Sequence, residues 1–199
     1  RCTIMYTSTI CSASLRLRES RLLAHLLLQR LDRAEWDEKL FTENILQMSS
    51  VETIKKVSRL LRARLEPMGE GLWAMVHAGG KETATLAVFA GAIKESRLLG
   101  DFMDIALREQ RAVFAERLEY RIWNEFMAGC RGRDPDMPDW NDSTLARARS
   151  AVFSMLAGAG YLRDTRSLLL QNVFVDSTLT SYLRARGEDY VVRCLEVAE

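Results

Sequence analysis

The sequence predicts a mainly α-helical fold, a compact multi-helix bundle, and three observations support this prediction. Apolar residues recur at helical spacing along most of the chain. The helix-favouring residues Leu, Ala, Arg and Glu are abundant. The three prolines, Pro67, Pro135 and Pro138, all fall where a helical pattern stops. Because 48% of the 199 residues are apolar, the chain can bury a sizeable core.

Capping signals mark the helices of the first half. Asp32 with Glu35, and Ser49 with Glu52, have the spacing of a capping box, and the second pair predicts a helix that ends near Leu65. The apolar first half of the helix predicted at 82–99 is expected to form the central rod of the core. The helices predicted here cover about 13–30, a segment after Asp32, 49–65, 71–80 and 82–99, the last ended by Gly100.

The second half predicts one long helix, a linker and a smaller subdomain. Residues 101–128 should form a single helix whose inner stripe includes Val113 and Phe114. The segment 129–142 holds two prolines and two glycines, which is typical of a linker. A helix over 143–158, a β-hairpin over 160–175 and two short terminal helices should follow. We therefore expect a helical core over 1–128, a linker over 129–142 and a C-terminal helix-and-hairpin subdomain over 143–199 packed on the core.

The basic residues cluster although the net charge is only +1. On the first helix, Arg18 and Arg21 share the polar stripe and Arg16 flanks the apolar side. The helix at 51–65 has five basic residues and one glutamate, and a stripe at i, i+4 and i+7. Such a row of cations on a rigid helix suits a phosphate backbone, whereas the simpler interpretation is a solvated helix face. The residues of this second stripe are Lys55, Arg59 and Arg62, with Lys56 beside them.

The C-terminal subdomain offers a second candidate surface. A helix followed by a hairpin has the order of a recognition helix and a wing, although many small appendages share that order. Its basic residues Arg147, Arg149, Arg163 and Arg166 supply the charge, and the first three are the expected contacts. Elsewhere, Glu19 falls on the apolar side of its helix and Arg64 at the edge of the apolar arc of its own. Since a buried charge needs a partner, we predict that Glu19 pairs with an arginine, with Arg64 as the first candidate.

The sequence argues against several classes of function. The sequence contains no phosphate-binding glycine loop, dinucleotide fingerprint or nucleophile elbow, so we expect no enzyme activity and no cofactor. Four cysteines without C-x-x-C spacing and two histidines predict no metal site. The cysteine usage indicates a reduced, intracellular setting, and the longest apolar run, residues 86–93, is too short to cross a bilayer. We therefore expect a cytoplasmic protein without a membrane partner.

The order of several motifs resembles the BrxA family of bacteriophage-exclusion (BREX) defence systems. The motifs are "YTSTICSASLRLRESRLLAHLLL" (6–28), "EWDEKLFTENILQMSS" (35–50), "RLLRARLEPM" (59–68), "LLGDFM" (98–103), "LEYRIWNEFM" (118–127) and "LAGAGYL" (156–162). The resemblance implies a mostly helical accessory protein of an anti-phage system that methylates host DNA. It also implies a fold similar to the antitermination factor NusB, binding of double-stranded DNA, and partners such as the methyltransferase of the system.

Three functions remain open at this stage. The first is a non-catalytic protein that binds double-stranded DNA, mainly at phosphates and with little sequence preference. The second is an assembly adaptor for other BREX components, whose basic faces would meet acidic protein surfaces. The third is a NusB-like RNA-binding factor. The sequence alone does not distinguish DNA from RNA, and it fixes neither sequence specificity nor oligomeric state.

Overall fold

The computed structural model describes residues 6–12 and 14–197 of the chain, which forms two compact units. The first unit comprises Leu15–Gly91. The second comprises Ala92–Glu199 together with the N-terminal segment up to Ser14. The boundary therefore falls within a helix, and the predicted linker lies inside the second unit. The division into a core, a linker and a C-terminal subdomain stays a prediction. The two compact units are divided elsewhere, after Gly91.

The first unit is built from helices whose apolar faces meet. α1 packs against α3 and α4, and Leu23, Leu61 and Leu72 from these three helices are fully buried. A π-helical turn (Glu38–Thr42) follows α2, and a 3-10 turn (Glu66–Met68) links α3 to α4. The helices are α1 (Leu17–Gln29), α2 (Arg33–Asp37), α3 (Val51–Leu65), α4 (Glu70–Ala78) and the first part of α5 (Lys81–Glu95).

The sequence signals for this unit hold with small shifts. The capping box at α2 is confirmed, because the backbone N–H of Glu35 donates to Asp32 and that of Asp32 donates to Glu35. α3 is capped by Ser50, one residue later than predicted. The apolar run 86–93 is buried throughout, as expected of a central rod. Its Gly91 packs so closely on α3 that a Cβ there would lie 2.7 Å from a backbone carbonyl oxygen.

The second unit surrounds a cluster of aromatic rings. The ring of Phe102 lies 5.4 Å from that of Trp123 and 5.2 Å from that of Phe126, measured between centroids. A 3-10 helix (Ser8–Ser12) packs against α9, and a π-helical turn (Phe102–Leu107) joins α6 to α7. The helices are α6 (Arg97–Asp101), α7 (Arg108–Ala112), α8 (Tyr120–Arg133), α9 (Asp142–Ala159), α10 (Ser177–Ala185) and α11 (Asp189–Leu195).

A buried carboxylate ties the N-terminal segment into this unit. Asp101 accepts hydrogen bonds from the hydroxyls of Tyr6, at 2.6 Å, and Tyr190, at 2.8 Å. The guanidinium of Arg97 lies 2.9 Å from the same carboxylate and compensates its charge. Burial, with the hydrogen bond to Asp101, raises the pKa of the Tyr6 hydroxyl, so Tyr6 stays protonated at neutral pH.

The prediction of one helix over 101–128 is wrong. The chain leaves the helical path after Ala112 and returns to it at Tyr120. Phe114 adopts a left-handed backbone conformation (φ 55°), so Val113 and Phe114 are exposed and do not form an inner stripe. Gly100 likewise does not end a helix, because it lies within α6. The cause of the break is long-range pairing, which no local pattern encodes.

The predicted hairpin over 160–175 is reduced to isolated bridges. Leu162 pairs with Leu170, and Arg117 pairs with Leu169, both antiparallel, and the described part of the chain contains no named strand. The intervening chain is held by backbone hydrogen bonds such as Arg163 N–H to the Leu169 carbonyl, at 2.9 Å. The mainly α-helical fold class is confirmed, while the winged-helix and NusB-like features stay predictions.

Candidate nucleic-acid interface

Three adjacent cations project from α3 without partners, and we name them the α3 ridge: Lys55, Lys56 and Arg59. All three are exposed, because the opposite side of the helix buries Ile54 and Val57 in the core. Within residues 6–12 and 14–197, no carboxylate pairs with them and no hydrogen bond engages their charged ends. The structure therefore places these three residues of the predicted stripe in solvent, and their contact with nucleic acid stays a prediction.

Arg62, the fourth residue of the predicted stripe, is already engaged. Its Nε lies 2.5 Å from the carboxylate of Glu66, and its guanidinium stands 4.9 Å from the ring centroid of Trp36. Its positive charge is thus partly balanced within the protein. Arg62 therefore lies beside the α3 ridge, and its guanidinium is not free to contact a phosphate.

A groove of about 420 Å³ runs beside the α3 ridge. Lys55 and Arg59 line one side, and Trp36 and Phe41 contribute aromatic surface. Asp37 lines it too, so a carboxylate borders the same groove. The groove therefore joins cationic and aromatic surface, a combination that suits a nucleic-acid strand.

The arginines of α1 are engaged in contacts within the first unit. Arg21 donates to the carbonyls of His77, at 3.0 Å, and Gly79, at 2.8 Å, at the C-terminal end of α4. A cation is favoured there by the helix dipole and the unpaired carbonyls. Arg18 donates to the side chain of Gln47. We therefore withdraw Arg21 from the candidate contacts, because its guanidinium caps a helix.

Glu19 pairs with an arginine, as predicted, but the partner is Arg16 and not the first candidate, Arg64. The carboxylate of Glu19 lies 3.7 Å from the guanidinium of Arg16, three residues earlier in the chain. Arg16 precedes α1 in a left-handed conformation that keeps its side chain near the first turn. Arg64 is fully buried in α3, and its partner is not Glu19.

The predicted arginines of the second unit differ in whether their guanidinium groups already make contacts. Arg147 donates to the carbonyl and the hydroxyl of Ser143, one turn earlier in α9. Arg149 stacks over the ring of Tyr120, 4.7 Å from its centroid. Arg163 is exposed and interacts electrostatically with the neighbouring Asp164, and no hydrogen bond engages its guanidinium in the part of the chain that the structure describes.

Sequence reasoning missed two exposed phenylalanines of the second unit. Phe114, expected in the core, and Phe174, expected at the end of a hairpin, are 90% and 87% exposed. Arg117 is exposed between them in the chain and has no side-chain partner among the residues that the structure describes. No local signal reveals this surface, because it depends on the pairing of two segments 50 residues apart, at Arg117 and Leu169.

The described residues offer no cluster for metal binding, and the buried thiols are unreactive. No group of three or more His, Cys, Asp or Glu side chains in them could hold an ion. Burial raises the pKa of Cys130, and it raises that of Cys194 to about 12, so both thiols stay protonated at neutral pH. Cys2 lies outside the described residues. None of the helices they form is long and apolar enough to span a membrane.

Comparison with known proteins finds one family over nearly the whole chain. The family model described as BrxA matches residues 4–187. A protein of Paramagnetospirillum magneticum named "BREX protein BrxA" is 42% identical over 193 residues, which is 97% of each chain. An Escherichia coli O9:H4 protein of the same name is 30% identical and covers 90% of this chain and 84% of its own.

A solved structure is similar in fold as well as in sequence. The crystal structure of an uncharacterized protein from Magnetospirillum magneticum matches with a TM-score of 0.89 and 41% identity. The match covers 96% of this chain and 98% of that one. The helical architecture described above is thus shared by an experimentally determined relative.

Proposed function

The chain belongs to the BrxA family, and from that premise we propose that it is a non-catalytic accessory protein of BREX phage defence that binds double-stranded DNA. The observation that carries the proposal is the α3 ridge, Lys55, Lys56 and Arg59. Three exposed, uncommitted cations on one rigid helix can each neutralise a phosphate, and the released counterions favour binding. Because duplex DNA lies in the cytoplasm, the proposal includes a cytoplasmic location.

Contacts of this kind hold the backbone and do not identify bases. Lysine and arginine on the ridge meet phosphates, whereas sequence is recognised by groups that reach base edges in a groove. We therefore expect the protein to bind unrelated duplexes with similar affinity.

The test is a gel-shift series with duplex DNA, single-stranded DNA and RNA at low and high salt. The proposal predicts binding to duplexes of unrelated sequence, which weakens steeply as salt rises. The variant Lys55→Ala/Lys56→Ala/Arg59→Ala should weaken binding to every duplex alike while circular dichroism shows an intact fold. Stronger binding of RNA than of duplex DNA would favour the NusB-like alternative instead, and unchanged duplex binding by the variant would remove the α3 ridge from the interface.

A second function is favoured by an apolar groove in the second unit. Trp123, Met127, Met137 and Trp140 line a groove of about 340 Å³, and aromatic and methionine side chains are enriched where proteins meet. An assembly adaptor would bind other BREX components, such as the methyltransferase, through this groove. If so, Trp140→Ala should lose such a partner from pull-downs of nuclease-treated lysate, whereas the α3 ridge variant should retain it.

A further inference from the structure

Two phenylalanine side chains stand almost entirely in solvent on the second unit, and we name them the aromatic pair: Phe114 and Phe174. They are 90% and 87% exposed, while most other aromatic rings of this unit pack into its core. Each ring would bury about 150–250 Å² if a ligand covered it. Isolated exposed apolar residues need no explanation, so the case depends on what holds these two in place and what surrounds them.

A single arginine connects the two segments that carry the aromatic pair. The backbone N–H of Phe114 donates to the carbonyl of Arg111 at 3.0 Å. The guanidinium of Arg111 donates in turn to the side chain of Asn172, at 3.1 Å, and to the carbonyl of Gln171. Asn172 and Phe174 are two residues apart, so their Cα atoms are separated by at most about 7 Å. Both rings are therefore tied to one anchor.

Backbone pairing makes the same region rigid. Leu118 donates to the carbonyl of Leu168 at 2.8 Å, and Leu170 donates to the carbonyl of Glu116 at 2.9 Å. Phe114 itself has a positive φ of 55°, a conformation that a phenylalanine rarely adopts. The fold thus imposes the exposure of this ring, and a preorganised ring loses little conformational entropy when it binds.

Uncommitted cations accompany the aromatic pair. Arg117, Arg163 and Arg166 lie on the paired segments and are exposed. Among the described residues no hydrogen bond engages their guanidinium groups, although Arg163 interacts electrostatically with the neighbouring Asp164. The nearby carboxylate of Asp164 is occupied, since it accepts from the backbone N–H groups of Arg166 at 2.8 Å and of Ser167 at 2.7 Å. The exposed carboxylate of Glu116 is the opposing charge on these segments. Positive charge is therefore in excess on these paired segments.

We propose that the aromatic pair binds unstacked nucleobases of distorted or single-stranded DNA. The rings would stack on bases or enter an opened base step, and the three guanidinium groups would hold the adjacent phosphates. Cations combined with exposed rings favour a polyanion with apolar faces over an apolar protein partner. The inference rests on the proposed function, in that DNA is the ligand, but it involves a different surface and a different state of the DNA.

The test compares fluorescein-labelled duplex DNA with the same duplex carrying a central run of unpaired bases, by fluorescence anisotropy. Phe114→Ala/Phe174→Ala should weaken binding to the bubble duplex about tenfold or more, as loss of base stacking does, and leave the fully paired duplex unaffected. Phe114→Trp/Phe174→Trp keeps the stacking surface and should retain the affinity. Its added tryptophan fluorescence should be quenched by the bubble duplex. Thermal melting serves as the fold control, since both side chains are exposed.

Four outcomes would overturn this inference. Wild-type affinity of the alanine variant for the bubble duplex would show that the rings do not touch bases. An equal loss on both DNAs would show that they are not specific for unstacked bases. Failure of the tryptophan variant to bind the bubble duplex would show that aromatic character is not what matters. A wild-type dimer that the alanine variant breaks, seen by light scattering, would assign the rings to a self-interface. The two proposals can fail separately. If the α3 ridge variant binds the paired duplex normally while Phe114→Ala/Phe174→Ala loses affinity for the bubble duplex, only the α3 ridge is excluded from the interface.

Discussion

The salt dependence of DNA binding gives a quantitative test of the α3 ridge. Three uncommitted cations correspond to three phosphate contacts, and each contact contributes about 0.9 to the slope of log affinity against log salt. The variant Lys55→Ala/Lys56→Ala/Arg59→Ala should therefore have a slope shallower by about 2.7. Between 50 and 200 mM salt, the wild-type protein should lose about 40-fold more affinity than the variant.

The assay is a salt titration by fluorescence anisotropy with one labelled duplex. A matched control, Lys39→Ala/Arg121→Ala/Arg131→Ala, removes the same charge from solvent-accessible residues that are already ion-paired, with Glu43, Glu125 and Asp139 respectively. It should keep the wild-type slope. Equal slopes for the wild type and the ridge variant, or equal losses in both variants, would refute the assignment and leave net charge as the explanation.

Three further predictions concern stability, each measured by urea unfolding. Arg21→Ala removes two charge-assisted hydrogen bonds from the C-terminal end of α4, one of its own unit's helices, and should lower the free energy of unfolding by about 2 kcal/mol, whereas an unchanged value would contradict a capping role. Gly91→Ala places a Cβ 2.7 Å from a backbone oxygen and should cost about 1–3 kcal/mol, whereas Gly132→Ala, with nothing within 4 Å, should be neutral or stabilising. Burial raises the pKa of Tyr190, so its protonated form stabilises the fold fully below the ordinary tyrosine pKa of about 10, and this contribution is lost as the pH rises above it. Tyr190→Phe should make that alkaline loss of stability shallower. Identical pH profiles of the two proteins would show that ionisation of Tyr190 does not contribute to the loss.

Local periodicity was sufficient to predict α3 and its exposed stripe. A helical wheel of residues 51–65 separates buried Ile54 and Val57 from exposed Lys55 and Arg59. This works because α3 packs on one side only, so buried residues recur with the 3.6-residue repeat of the helix. The family was recognised for a different reason, namely the order of soft motifs over most of the chain.

The partners of charged residues could not be predicted in the same way. A wheel shows that Arg21 leaves α1 on its polar side, but the carbonyls that it caps belong to α4, more than 50 residues later. Glu19 pairs with Arg16, three residues away, and not with Arg64, the first candidate on the wheel. A helical wheel shows on which side of its helix a side chain lies. The partner of that side chain depends on which other parts of the chain pack beside it.

The exposed aromatic pair was the largest failure of sequence reasoning. Val113 and Phe114 continue an apolar stripe, so a helix was the natural expectation. The chain departs from it because Glu116 and Leu118 pair with residues of the segment 168–170. A non-local backbone ladder thus overrides a local helical pattern at the place where the structure displays its most exposed ring.

Lysine footprinting tests the central claim, that the α3 ridge lies against DNA, most directly. The chain has five lysines, and Lys55, Lys56 and Lys81 are exposed, with Lys81 lying outside the ridge. Acetylation with and without saturating duplex DNA, followed by mass spectrometry of the peptides, measures the protection of each side chain. We predict strong protection of Lys55 and Lys56 and little change at Lys81. Equal acetylation of Lys55 and Lys56 with and without bound DNA would contradict the account.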